Sequence, residues 1–232
     1  MNIALLTGAT SGIGKAICNM LLNDGFCVYG IGRDFSKIPD ICARENFHSI
    51  TCDLLDTKNL SNIIKELTKM VSFTHFIHSA GVGYFGPHEE LNSKKIHEMI
   101  TVNLEVPMLL SNLLLRHLKK VKGTIVAISS VTAQKSNTHG CAYGATKAGL
   151  TNFHMSLFDE IRKYGVRVIT IHPDMTQSDF YKNANFMEGE TEDTYLYPEE
   201  VAHALQMALK QREGILISEL TIKPQRHQIR KK

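Results

Sequence analysis

The chain has 232 residues, 43% of them hydrophobic, and 26 Lys and Arg against 23 Asp and Glu for a formal net charge of +3. That length suits one α/β domain with its own core, and the composition is that of a globular chain, which excludes disorder. So small a charge excludes nucleic acid as a default partner, and no uninterrupted apolar stretch approaches the roughly 20 residues of a membrane span.

Residues 2–7 read as a buried strand that runs into Thr7-Gly8-Ala9-Thr10-Ser11-Gly12-Ile13-Gly14 and then a helix over 13–23. Apolar runs at 26–31, 48–52, 74–79, 124–129 and 166–171 are further strands, and 215–217 is a short seventh. Helical stretches fit between them at 58–70, 98–119, 143–163 and 198–210. Continuous apolar strands alternating with helices predict a doubly wound parallel sheet of about seven strands, Rossmann-type, in a single domain over 1–232. The polar stretch 174–197 follows a strand end, where α/β proteins place ligand loops, and is expected to be a substrate loop. The basic tail 226–232 reads as a solvated chain end. Five cysteines, odd in number and without a Cys-x-x-Cys pair, fit reduced thiols. With no leader pattern at the start, the expected location is cytoplasmic.

Three glycines where the first strand becomes a helix let backbone approach a diphosphate, and the helix start offers unpaired N–H groups and a positive dipole end. Gly8, Thr10, Ser11, Gly12, Ile13 and Gly14 are therefore candidate dinucleotide contacts. The second strand ends in Gly32-Arg33-Asp34. A guanidinium at that tip pairs with a 2′-phosphate, which favours NADP, while Asp34 on the ribose would favour NAD. Asp53, with Leu54 beside it, can accept from an adenine amino group; the alternative is a turn or helix-capping aspartate.

Tyr143-Gly144-Ala145-Thr146-Lys147 opens a predicted helix. Residues four apart share a face, so phenol and ammonium reach one cleft. A lysine charge there is expected to stabilise the phenolate and lower the tyrosine pKa. Ser130, at the end of the fifth strand, can hold a carbonyl oxygen while Tyr143 gives or takes the proton. Asn103 sits inside a predicted helix, where asparagine is unfavourable, so it is expected to hold a water or a backbone carbonyl.

Taken in order and spacing, this set resembles the short-chain dehydrogenase/reductase family along nearly the whole chain. The resemblance rests on Thr7-Gly8-(x)3-Gly12-x-Gly14, Ala80-Gly81, Asn103, Ser130 and Tyr143-(x)3-Lys147. It implies a Rossmann-type fold and a tetrad of Asn103, Ser130, Tyr143 and Lys147. It also implies a cofactor site that includes Ala80, Gly81, Pro173 and Thr176 besides Tyr143, Lys147 and the glycine turn. Dimers or tetramers are implied too, and the apolar Leu109, Leu110, Leu113, Leu114 and Leu115 suggest an interface. His78-Ser79 replaces the family's usual Asn-Asn, and Asp174 replaces a glycine after Pro173.

The leading reading is an oxidoreductase moving hydride between NADP, or NAD, and a small carbonyl or alcohol. It needs no metal. The alternative is a dinucleotide-binding sensor or structural protein with little catalysis. A sugar-nucleotide epimerase is disfavoured, because the short C-terminal region leaves little room for a second lobe.

Overall fold

A computed structural model describes residues 1–232. In chain order it contains β1 (Ile3–Thr7), α1 (Gly12–Asn23), β2 (Cys27–Gly32), α2 (Pro39–Cys42), β3 (Phe47–Thr51), α3 (Thr57–Met70) and β4 (His75–His78). There follow α4 (Ser93–Ile100), α5 (Val106–Val121), β5 (Thr124–Ile128), α6 (Cys141–Ile161), β6 (Arg167–Pro173), β7 (Phe186–Glu188), α7 (Pro198–Leu209), β8 (Glu219–Ile222) and β9 (Ile229–Lys231). Seven strands form one parallel sheet in the order β3-β2-β1-β4-β5-β6-β8.

Side chains alternate across a strand, so apolar strands feed two cores at once. From β1, Ala4 and Leu6 join α1 and α7 on one face, while Leu5 joins α3, α5 and α6 on the other. The helices follow the same logic. In α3, Leu60 and Ile64 are buried four apart, and the Asp56 carboxylate accepts from Asn59 N at 2.9 Å to start the helix. The strand order reverses between β1 and β4, and their C-terminal ends open the crevice in which such sheets bind ligands.

Three expectations need correction. The seventh strand is β8, not 215–217. Ile215 is exposed, Leu216 and Ile217 pack on the core from a loop, and β8 pairs with β6 as an edge strand whose residues alternate between exposed and half-buried. The helix expected at 98–119 is the continuous run Ser93–Val121, in which a π turn, Thr101–Glu105, joins α4 to α5. That 29-residue run is long and apolar enough by composition to cross a membrane, yet Leu110, Leu114 and Leu118 sit fully buried in the core beneath the sheet.

The third concerns the tail, which is exposed to solvent as expected but is not a free end. β9 pairs antiparallel with β7 inside the 174–197 stretch. Arg226 Nε lies 2.6 Å from Asp193, Arg230 lies 3.5 Å from Glu190, and Lys232 Nζ donates to the carbonyls of Tyr181 and Lys182 at 2.6 and 3.0 Å. The charges stay exposed, so each contact is individually weak; together they fasten the tail along the loop.

Candidate active site

The glycine turn is built by close packing. Gly8 has φ +74°, and a Cβ on it would lie 2.8 Å from Ala80 N and Cα. Thr7 ties the two strand ends together: its hydroxyl meets His78 Nδ1 at 2.9 Å and accepts from Ala80 N at 3.3 Å. Thr10 packs its methyl over Gly32, and Ile13 packs on the core. Ser11, extended at the start of α1, makes no side-chain cap, and the first turn holds no acidic residue. The N–H groups of Gly12, Ile13 and Gly14 therefore begin a 12-residue helix with no side chain bonded to them, which fits a diphosphate.

At the tip of β2, Arg33 is exposed. Both Asp34 oxygens are engaged by Ser36, through its N–H and its hydroxyl at 2.9 Å each. Both residues are exposed, but Arg33 has no hydrogen-bond partner within the chain, whereas Asp34 is already engaged. Asp53 accepts from Leu55 N at 3.0 Å in a turn, with Leu54 against the core, and the cap of α3 is Asp56 rather than Asp53.

Ser130 follows β5, and Tyr143 lies in the first turn of α6. Lys147 stands one turn on, with Nζ 5.8 Å from the centre of the Tyr143 ring. Both are buried. The four residues share the C-terminal edge of the sheet: Tyr143 is hydrogen-bonded to Ser130, and a Cβ on Gly81 would lie 3.6 Å from both Lys147 Nζ and Asn103 Oδ1. Burial outweighs the expected electrostatics in this geometry. Burial pushes the Tyr143 phenol up, with hydrogen bonding to Ser130 acting the other way. Burial also brings Lys147 down to about 8, and its Nζ donates to the Ile128 carbonyl at 2.8 Å. Spacing put the two groups on one face; desolvation, which spacing does not encode, decides the direction of their shifts.

Asn103 lies in the π turn, a bulge that recurs at functional sites. Its Oδ1 accepts from Val82 N at 2.9 Å, and its Nδ2 donates to Val82 O at 2.9 Å and Thr146 Oγ1 at 3.1 Å. The expectation of a backbone partner is met, and both amide protons are engaged within the protein. Thr146 was not singled out in the sequence, because its role appears only through this contact.

The two departures also find places. His78 is fully buried and, through burial first and then the Lys147 charge, held well below the usual histidine range, so it is neutral. Asp174 turns its carboxylate to Met175 N at 2.9 Å, and its own N–H donates to Ile222 O. Pro173 ends β6, and the Thr176 hydroxyl donates to the Asp174 carbonyl at 2.9 Å. Behind Ser130, the buried His172 places Nδ1 3.3 Å from the Ser130 carbonyl and Nε2 3.2 Å from Glu219. Phe85 and Phe180 lie at ring distances of 5.4 and 5.5 Å from Tyr143, Phe180 within the stretch expected to form a substrate loop.

The family model described as short chain dehydrogenase matches residues 2–189. The chain belongs to the short-chain dehydrogenase family. It is an NAD(P)-dependent oxidoreductase by that membership. It is 28% identical over 228 residues to an uncharacterised oxidoreductase of Staphylococcus epidermidis, covering 96% of each chain. It is 31% identical to the serine 3-dehydrogenase of Agrobacterium fabrum over 76% of this chain and 72% of that one. Among solved structures, an alcohol dehydrogenase from Thermococcus sibiricus complexed with 5-hydroxy-NADP superposes with a TM-score of 0.86 at 25% identity, covering 97% of each chain.

Proposed function

We propose that this short-chain dehydrogenase interconverts a small carbonyl compound and its alcohol, with Tyr143 as general acid and base. The observation that carries this reading is the convergence of Tyr143, hydrogen-bonded to Ser130, with Lys147, which lies beside Gly81, at the same sheet edge as the uncapped start of α1. Gly8, Thr10, Ser11, Gly12, Ile13 and Gly14 would hold the diphosphate, and Arg33 the 2′-phosphate. Asp53 and Leu54 would hold the adenine. Ala80, Gly81, Pro173 and Thr176 would border the nicotinamide, and Tyr143 and Lys147 its ribose. When bound, the dinucleotide supplies or takes up the hydride.

Ser130 orients the carbonyl oxygen, and Tyr143 delivers the proton to it. A phenol raised by burial stays protonated at neutral pH, so the residue is poised as an acid for reduction. Lys147, when charged, stabilises the phenolate that remains. The sign for pH follows: Lys147 carries its proton below its lowered pKa and loses it as pH rises through about 8. Reduction is therefore expected to hold roughly level at pH 6 to 7 and to fall above about 8, a profile that Lys147→Arg moves upward because guanidinium stays charged. A profile unchanged by Lys147→Arg would remove Lys147 from this role.

The reading is tested with purified protein, NADPH and a panel of small ketones, 3-oxo acids and quinones, following the absorbance of reduced nicotinamide. Turnover that disappears in Tyr143→Phe supports it; cofactor binding without turnover across the panel favours a dinucleotide sensor. We propose NADP over NAD on the free Arg33 guanidinium and the engaged Asp34. Arg33→Ala is expected to weaken NADPH about 10- to 100-fold, the worth of a lost charge-assisted contact, and NADH far less. Equal losses measured by titration would overturn that choice.

We propose further that the protein is a homodimer or homotetramer. Leu110 and Leu114 turn inward, but Ile100, Met108 and Met155 stay exposed on the long helices. Light scattering that gives a monomer at micromolar concentration would overturn the assembly.

A further inference from the structure

We infer that the substrate is a neutral, planar, apolar carbonyl compound, an aryl ketone or aryl-substituted dione, and not an oxo or hydroxy acid. This rests on the reading of Tyr143 given above and names the substrate class of that site. Five rings from three separate segments form one cluster: Phe85 after β4, Tyr143 on α6, and Phe180, Tyr181 and Phe186 from the 174–197 stretch. Phe85 lies 5.4 Å from Tyr143, 6.2 Å from Phe180, 5.9 Å from Tyr181 and 5.3 Å from Phe186. Phe180 lies 5.5 Å from Tyr143 and 5.1 Å from Tyr181.

These pairs are tilted or edge-on, the arrangement that ring quadrupoles favour, so the surroundings of the Tyr143 ring are aromatic. Gly83 makes room for them: a Cβ there would meet Phe180 Cζ at 2.7 Å and Phe85 Cε2 at 2.8 Å. The group attached to a carbonyl carbon beside Tyr143 must lie against whatever surrounds that tyrosine, and here that is Phe85 and Phe180. A planar aryl group entering there exchanges ring contacts for ring contacts.

Charge argues in the same direction. Lys147 is the one buried lysine or arginine, and its ammonium already donates to the Ile128 carbonyl. A substrate carboxylate would be desolvated among rings, while the cations of that stretch, Lys182, Arg230 and Lys232, stay exposed. The nearby carboxylates, Asp174 and Glu188, bear on Tyr181 and add to burial in pushing its phenol up, so they oppose an anion as well. They do not make a cation site: Asp174 is turned to Met175 N and toward His227, 4.0 Å away.

The experiment compares kcat/KM with NADPH for 1-phenyl-1,2-propanedione, 2,3-butanedione, pyruvate and an aminoketone, in the wild type and in Phe85→Leu and Phe186→Leu. Burial of a phenyl group predicts a preference for the aryl dione over butanedione of about 30-fold, with pyruvate lower still. Each substitution is expected to cut the aryl-to-methyl ratio about tenfold, chiefly through KM, at an unchanged melting temperature. Preference for pyruvate or for the aminoketone would overturn the inference, and so would a ratio that neither variant alters. If butanedione or pyruvate is reduced and Tyr143→Phe abolishes that activity, the reading of Tyr143 stands and the aryl assignment falls alone. If no carbonyl consumes NADPH, both fall.

Discussion

Tyr143→Phe is expected to lower kcat for carbonyl reduction by about a thousandfold, within the 10²–10⁴ range that a positioned general acid contributes. The substitution removes one hydroxyl and keeps the ring, so the contacts with Phe85 at 5.4 Å and Phe180 at 5.5 Å remain. The diphosphate and 2′-phosphate contacts proposed above lie on other segments. NADPH affinity should therefore change by no more than about tenfold, the worth of one hydrogen bond. Burial raises the phenol in the wild type, so the neutral ring of phenylalanine is already matched to its surroundings, and the fold should melt where the wild type does. Steady-state kinetics, a cofactor titration and a melting curve on one preparation check the three statements together. Retention of a tenth or more of kcat would remove Tyr143 as the proton donor.

The second large effect belongs to the glycine turn. A Cβ on Gly14 would lie 2.0 Å from the Gly8 carbonyl oxygen and 2.8 Å from its carbon, both backbone atoms. No rotamer change relieves that clash, so Gly14→Ala must push α1 away from the end of β1. Overpacking of this kind costs about 3 kcal/mol. That lowers the melting temperature of a chain this size by roughly 6–12 °C. Because the displaced atoms are those offered to the diphosphate, NADPH affinity should fall more than tenfold as well. Gly25→Ala is the control. Gly25 ends the same helix at φ +78° with nothing within 4 Å of its Cβ position, so only the left-handed backbone preference is lost, about 1 kcal/mol. Equal effects from the two substitutions would show that the turn is not held by this contact.

The central strands were legible because each is apolar on both sides, and the order of glycine turn, Asn103, Ser130 and Tyr143-Lys147 mapped onto one edge of the sheet. What escaped the sequence has physical reasons. β8 pairs through Glu219–Ile222, whose alternating exposure is that of an edge strand, while the stronger apolar run nearby, 215–217, lies in a loop. The π turn adds one residue to a helix and leaves the periodicity on either side intact, so an unfavourable helical asparagine pointed to a backbone partner for Asn103 without saying that it is Val82, or that Thr146 joins it. β7 and β9 are three residues each and partly charged. The direction of the Tyr143 and Lys147 shifts depends on burial by other segments. Phe85 and Phe180, 95 positions apart, become neighbours of Tyr143 only once the chain has folded.

The pairing of β9 with β7 bears on how the protein is handled at the bench. Lys232 caps the Tyr181 and Lys182 carbonyls, so any affinity handle fused there is anchored against the segment that carries Phe180 and Phe186. Met1 is almost fully exposed and precedes β1, at the opposite rim of the parallel sheet from Gly8 and Tyr143. A fusion at Met1 is therefore expected to leave the candidate site undisturbed, whereas one after Lys232 extends a strand paired with the segment that carries Phe180 and Phe186.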